Sequence, residues 1–149
     1  MRNPFEEEHQ ENNKRPDLLS LLCILTFIGS GLGFISNLFV TLSYNTLVET
    51  IENGELPAMY DMIIDNMTLL LSGGVYYFML SFLFFGTSLF GAIFMWQLRR
   101  MGFHIYTISQ ILILILPALF LQGQGISILS FFFTGLFIGL YAINLKVMK

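Results

Sequence analysis

The chain has 149 residues, enough for one domain, and 55% of them are hydrophobic while only 11% are charged. Soluble domains carry about a quarter charged residues, so these proportions exclude an ordinary water-soluble fold. The formal net charge of −3 hides a sharper fact: all seven Lys and Arg residues lie outside four long uncharged runs, and no basic patch for nucleic acid exists.

Residues 1–17 form a polar tail rich in Asn and Glu, with Arg2, Lys14 and Arg15 among them. The apolar run that follows is far longer than a secretory h-region and lacks a small-residue cleavage site, so it reads as a retained signal anchor. This first run covers residues 18–44, more than the ~20 residues needed to cross ~30 Å of hydrocarbon. Its helical pattern continues through Leu47, Val48 and Ile51, set against Glu49 and Glu52, until Asn53-Gly54 supplies a stop. Pro57 suits a first helical turn, after which Met59, Met62, Ile63 and Met67 fall on one face and Asp61 and Asp65 on the other. Residues 45–68 are therefore expected as an acidic helical hairpin, formed by extensions of the first two membrane helices.

The second span is expected over residues 69–96, closed by Trp96 at headgroup depth and at once by Arg99 and Arg100. The third covers residues 103–121, with Pro117 in its last turn, where a missing hydrogen bond costs least. A Gln122-Gly123-Gln124-Gly125 turn leads to the fourth, residues 126–145, whose Leu, Ile and Phe side chains favour insertion by ~0.3–0.6 kcal/mol each. The expected fold is all-α: a polytopic membrane protein with four transmembrane helices in an antiparallel bundle (residues 18–149) behind a cytoplasmic tail (residues 1–17). Basic residues are retained on the cytoplasmic side, so the tail, Arg99, Arg100, Lys146 and Lys149 orient the chain with both termini inside. The other side carries Glu49, Glu52, Glu55, Asp61 and Asp65. Those acids are a solvated face, a docking surface for a basic extracytoplasmic partner, or a loose collector of cations.

Proton-coupled transport needs an ionisable group within the membrane, and the spans hold none. His104 sits beside Arg99 and Arg100 as an interfacial residue, no second metal ligand falls at suitable spacing, and the single Cys23 excludes an intramolecular disulfide. The abundant Ser and Thr residues lack a neighbouring base. No catalytic residue, metal or cofactor is expected. Small residues recur four apart at Gly29 and Gly33, at Thr87 and Gly91, and at Gly135 and Gly139. In lipid, helices associate through packing and hydrogen bonds, so these are helix-packing faces, expected chiefly within the monomer. Counting inward from the boundaries places Asn37, Tyr76, Tyr77 and Thr134 at one depth below the outer surface, and Gln110, Thr26 and Ser88 at a deeper level. The layers are either packing glue or a site for a polar ligand.

In residues 21–33 (LLCILTFIGSGLG), and more specifically in residues 91–106 (GAIFMWQLRRMGFHIY), an interface anchor, cytoplasmic charges and a helix restart follow in one order. With these stretches the chain resembles small uncharacterised four-span bacterial inner-membrane proteins over nearly its whole length. The resemblance implies a four-span fold and a bacterial inner-membrane location, and because that family has no assigned activity it transfers no functional residue. The function expected is that of a non-enzymatic integral membrane protein, an accessory, scaffold or lipid-interacting subunit. The alternative is a small channel or facilitator, a homo-oligomer with Asn37, the tyrosines and Gln110 as an uncharged polar track. Expected partners are membrane lipids, another membrane or extracytoplasmic protein, or a second copy, and no nucleic acid.

The charge distribution makes a direct prediction. A reporter active only outside the cytoplasm is expected to be active when fused at Gln124 and silent when fused after Lys149, as measured in whole cells; the reverse pattern contradicts the orientation.

Overall fold

The computed structural model describes residues 16–53, 61–121 and 127–148. Within them the chain is all-α, with helices α1 (Asp17–Glu52), α2 (Asp61–Leu71), α3 (Gly74–Trp96), α4 (Arg100–Phe120) and α5 (Ile128–Ile143), the last followed by a 3-10 turn over Asn144–Val147. Four of these, counting α5 with its 3-10 turn, are long and apolar enough to cross a membrane. The molecule is a polytopic integral membrane protein.

At 36 residues α1 is about 54 Å long, well beyond the ~30 Å of hydrocarbon it has to cross. It ends where Asn53 turns its N–H back on Glu49 O and Ile51 O. The second span departs from the expected boundaries, because the helix breaks between α2 and α3. Ser72 Oγ donates to Leu69 O at 2.6 Å and Gly74 adopts φ +72°, a conformation that glycine enters without a Cβ penalty. The span proper therefore begins at Gly74 instead of residue 69. The Tyr44 hydroxyl donates to Leu71 O at 2.9 Å and ties the end of α2 to α1.

The α3–α4 turn is a Schellman closure: Arg99 N–H donates to Phe94 O and Leu98 N–H to Met95 O, both at 2.9 Å. Leucine stands at φ +60° where glycine is usual. Its side chain packs against the buried cluster of this end of the bundle, which offsets the backbone cost. The turn is so short that α4 starts at Arg100, three residues earlier than expected. At the other end Pro117 lies inside α4, which closes three residues later with Leu121 N–H on Pro117 O at 2.8 Å. Ser127 caps α5 by accepting from Ser130 N–H at 3.5 Å.

Packing is uneven. Helix α3 lies between α1 and α4, and at Gly91 it approaches α4 very closely. A Cβ placed on Gly102 would stand 2.5 Å from both Gly91 O and Met95 N, and one on Gly91 would stand 2.7 Å from Tyr106 N. These are backbone atoms, so the two helices touch main chain to main chain. Helix α5, by contrast, is anchored only at its C-terminal end, where Tyr141 joins Leu19, Leu22, Cys23, Met95, Tyr106 and Met148 in one buried cluster. Toward its N-terminus α5 is open on every side, with Ile128 87% exposed and Phe131, Phe132 and Phe133 exposed as well. Such exposure belongs to lipid-facing side chains.

The α3–α4 contact predicts an asymmetric response to alanine. Gly102→Ala forces the two backbones apart and is expected to cost ~1–3 kcal/mol, whereas Gly31→Ala, whose Cβ meets nothing within 4 Å, is neutral or stabilising. Titration of mixed micelles with sodium dodecyl sulfate, followed by helix content, measures both.

Candidate ligand-binding cleft

The interior polar residues fall into two groups. The first bonds helix to helix; outside both groups, the buried Thr107 hydroxyl has no partner among the described residues. Helices α3 and α4 present adjacent pairs to one another, Thr87-Ser88 against Ser109-Gln110, which form two rungs. Thr87 and Ser109 hydroxyls lie 2.8 Å apart, and Gln110 Nε2 donates to Ser88 Oγ at 3.0 Å. Ser88 Oγ also reaches Ser30 Oγ of α1 at 3.0 Å, so one hydroxyl joins three helices. Below this, Thr26 Oγ1 and the Tyr141 hydroxyl lie 2.8 Å apart and attach α5 to α1. Tyr106 meets Tyr141 edge to face at 4.9 Å, and the buried cluster of Leu19, Leu22, Cys23, Met95 and Met148 closes this end of the bundle.

The second group surrounds empty space. An inner cavity of about 210 Å³ is lined by Leu25, Gly29, Gln110, Phe133 and Phe137 among others. An outer cavity of about 280 Å³ is lined by Asn37, Tyr77, Ser81, Ser127, Ser130 and Thr134 with Ile113, Leu114 and Pro117. The two share Phe85 and Thr134 as a common wall. Leu25 is 45% and Phe133 50% exposed, so the inner cavity opens sideways between α1 and α5. Exposed Ser127 and Ser130 mark the mouth of the outer one, at the α5 end remote from the closed cluster. The result is one cleft with two chambers, blind at one end.

Of the residues singled out from the sequence, Asn37, Tyr77 and Thr134 come together around the outer chamber, and Gln110 lines the inner one. Asn37 Nδ2 donates to Gly33 O at 2.7 Å, which leaves its carboxamide oxygen without a partner among the described residues. Tyr76 does not join them. It is 72% exposed, because one residue turns a helix by about 100° and only one of two adjacent tyrosines can face inward. Ser81, one turn beyond Tyr77, and the Ser127/Ser130 pair complete the chamber and escaped sequence reasoning. So did Ser30, Ser109 and Tyr141 in the bonded group, whereas Thr87 stands in the sequence as part of a packing face with Gly91. Ser81 had a signal in its i+4 spacing from Tyr77; serines within apolar runs otherwise look alike.

The glycine faces separate. Gly33 meets the Phe85 ring and Gly91 meets α4, as helix contacts. For Gly29, Gly135 and Gly139 the expectation of contacts within the monomer is not met: a Cβ on any of them meets nothing within 4 Å among the described residues, and Gly139 faces away although Ile138 and Leu140 beside it pack on the buried cluster. Arg99, Arg100 and Lys146 are exposed at the closed end, where Arg100 Nε donates to Met148 O at 2.7 Å. Glu49, Glu52 and Asp65 are exposed beyond the open end; Asp61 opens α2, and Glu55 and Lys149 lie outside the described residues. His104 is exposed.

No family model matches the chain, and no curated protein or solved structure is similar to it. The arrangement itself defines what chemistry is possible. Among the described residues it offers hydroxyls, two carboxamides and aromatic rings, but no charged side chain, around a cavity reached from the side of the bundle.

The three-helix junction predicts a graded loss. Ser88→Ala removes the bonds to Ser30 and Gln110 at once and is expected to cost ~1–2 kcal/mol, since membrane-buried hydrogen bonds average ~0.6 and reach ~1.7 kcal/mol. Thr50→Ala, which removes an exposed bond to Thr46 O, is expected to cost almost nothing in the same detergent unfolding assay.

Proposed function

We propose that the protein is a non-enzymatic binding protein of a bacterial inner membrane, a lipid-interacting accessory subunit that accepts an amphiphile from the bilayer into the two-chambered cleft. Both termini are cytoplasmic in this reading, with Arg99, Arg100 and Lys146 at the closed end of the bundle and the acids at the open end. The observation that carries it is the combination of an uncharged hydrogen-bonding lining with a lateral opening between α1 and α5. Ligand sites are concave, largely apolar and equipped with a few convergent polar groups, and the cleft has each property. Its mouth lies among lipid-facing side chains, where the ligands at hand are lipids. The alternative, a homo-oligomeric channel using Asn37, Tyr77 and Gln110, meets an obstacle: within one copy the Tyr106–Tyr141 pair and the buried cluster stand across the track. A pore needs passage at both ends.

Native mass spectrometry of the full chain, released from nanodiscs made with host lipid extract, tests the proposal. A lipid adduct is expected on the wild type and is expected to fall at least tenfold in Thr134→Phe, which places a ring in the wall shared by the two chambers. Equal adducts on both proteins, or none on the wild type, would refute lipid binding in the cleft.

A further inference from the structure

We infer that the outer chamber selects an amphiphile whose head is uncharged and hydroxyl-rich, a glycerol or single sugar carried on acyl chains. The inference rests on the lipid-binding reading above and adds the chemistry of the head. Six of the ten lining residues are polar, Asn37, Tyr77, Ser81, Ser127, Ser130 and Thr134, and none is Asp, Glu, Lys, Arg or His. A phosphate or ammonium drawn into the chamber would lose its hydration and find no opposite charge, which is the costly arrangement for an ion in a poorly polar interior. A hydroxyl loses far less and regains it: serine, threonine and tyrosine hydroxyls both donate and accept, and the free Asn37 carboxamide oxygen accepts. Such a lining pairs with groups that are themselves both donors and acceptors, as the hydroxyls of glycerol and sugars are.

Shape agrees with chemistry. Phe85, Ile113, Leu114 and Pro117 give the chamber an apolar wall, against which the C–H face of a sugar or a glycerol backbone can lie while its hydroxyl edges meet the polar side. At about 280 Å³ the chamber suits a small head on the scale of a glycerol or a monosaccharide. The exit passes exposed Ser127 and Ser130 at the start of α5, beside the exposed hydrophobics Ile128, Leu129, Phe131, Phe132 and Phe133. Acyl chains leaving by that route stay in lipid. A free polyol carries the same head chemistry without the tail, so the experiment has to separate the two sources.

Full-length protein is reconstituted in phosphatidylcholine nanodiscs that contain, at equal mole fraction, monoglucosyl diacylglycerol, diacylglycerol or phosphatidylglycerol, and the adducts are counted by native mass spectrometry. The two uncharged lipids are expected to be retained at least tenfold over phosphatidylglycerol. Thr134→Val and Ser81→Ala, which each remove a hydroxyl with little change of shape, the second together with its bond to Tyr77, are each expected to lower that retention several-fold while leaving helix content unchanged. Phosphatidylglycerol retained as well as the uncharged lipids, or retention of the uncharged lipids untouched in both variants, overturns the inference. Displacement of the glucolipid by free methyl glucoside at comparable concentration overturns its lipid-borne part. Lipid retained without head preference but lost in Thr134→Phe sinks this inference alone, whereas no retained lipid of any kind sinks the binding reading with it.

Discussion

The spacing of the whole interior is set by two glycines. Inside a bilayer, apolar side chains gain nothing by leaving lipid for one another, so helices stay together only where backbones come close or polar groups pair. Gly91 and Gly102 do the first, bringing α3 and α4 into main-chain contact. That contact fixes the register in which Thr87 and Ser88, one turn earlier on α3, stand opposite Ser109 and Gln110, two turns later on α4. Ser88 then extends the network to Ser30 and holds α1. A side chain larger than hydrogen at either glycine would move both rungs, so the hydrogen-bonded junction of three helices depends on the absence of two methyl groups.

Helix α5 has no comparable device. Its own glycines, Gly135 and Gly139, face no neighbour among the described residues, and its attachment rests on Tyr141 with the Thr26 bond and the ring contact to Tyr106. Phe137, Ile138 and Leu140 add packing against the same cluster, so the attachment lies wholly in the C-terminal half of the helix. With no hydrophobic gain from closing the remainder onto α1, the N-terminal part of α5 can diverge at little cost, and the cleft is the space that this divergence leaves. The same physics that makes α3 and α4 inseparable thus leaves α5 leaning away.

What was legible in the sequence follows from which forces are local. Hydropathy and the placement of basic residues concern the chain against its solvent, so the four spans and the Trp96 to Arg100 boundary could be read directly. Counting depth also placed Gln110 and Ser88 at one level, and they are hydrogen-bonded. Relations between helices were not legible. Small residues four apart announce a face but not its neighbour, which is why Gly33 and Gly91 have contacts while Gly29, Gly135 and Gly139 have none. Depth says nothing of rotation, so Tyr76 was grouped with Tyr77 although it points the other way. The break at Ser72 to Gly74 and the left-handed Leu98 escaped because the first is a brief glycine interruption in a long apolar run, and the second depends on packing that holds a leucine where local preference asks for glycine.

The division of polar groups between the two ends of the bundle bears on function more than their number does. At the closed half, Thr26, Ser30, Thr87, Ser88, Ser109, Gln110 and Tyr141 are bonded to one another, and such groups stabilise a fold without requiring a ligand. Around the outer chamber, the Asn37 amide and the capping Ser127 turn back on their own helices and Tyr77 is bonded to Ser81 one turn away on α3, and the capacity that remains to them and to Thr134 faces the cavity. Polar groups buried in hydrocarbon without partners are costly. Polar groups around a cavity avoid that cost only if something polar enters, whether water or the head of an amphiphile. Had the same residues been distributed evenly along the bundle, structural pairing would explain them all. The bonds between helices gather toward the closed end, whereas the polar groups around the outer chamber bond within single helices, so one half of the bundle holds it together and the other half leaves room for a guest.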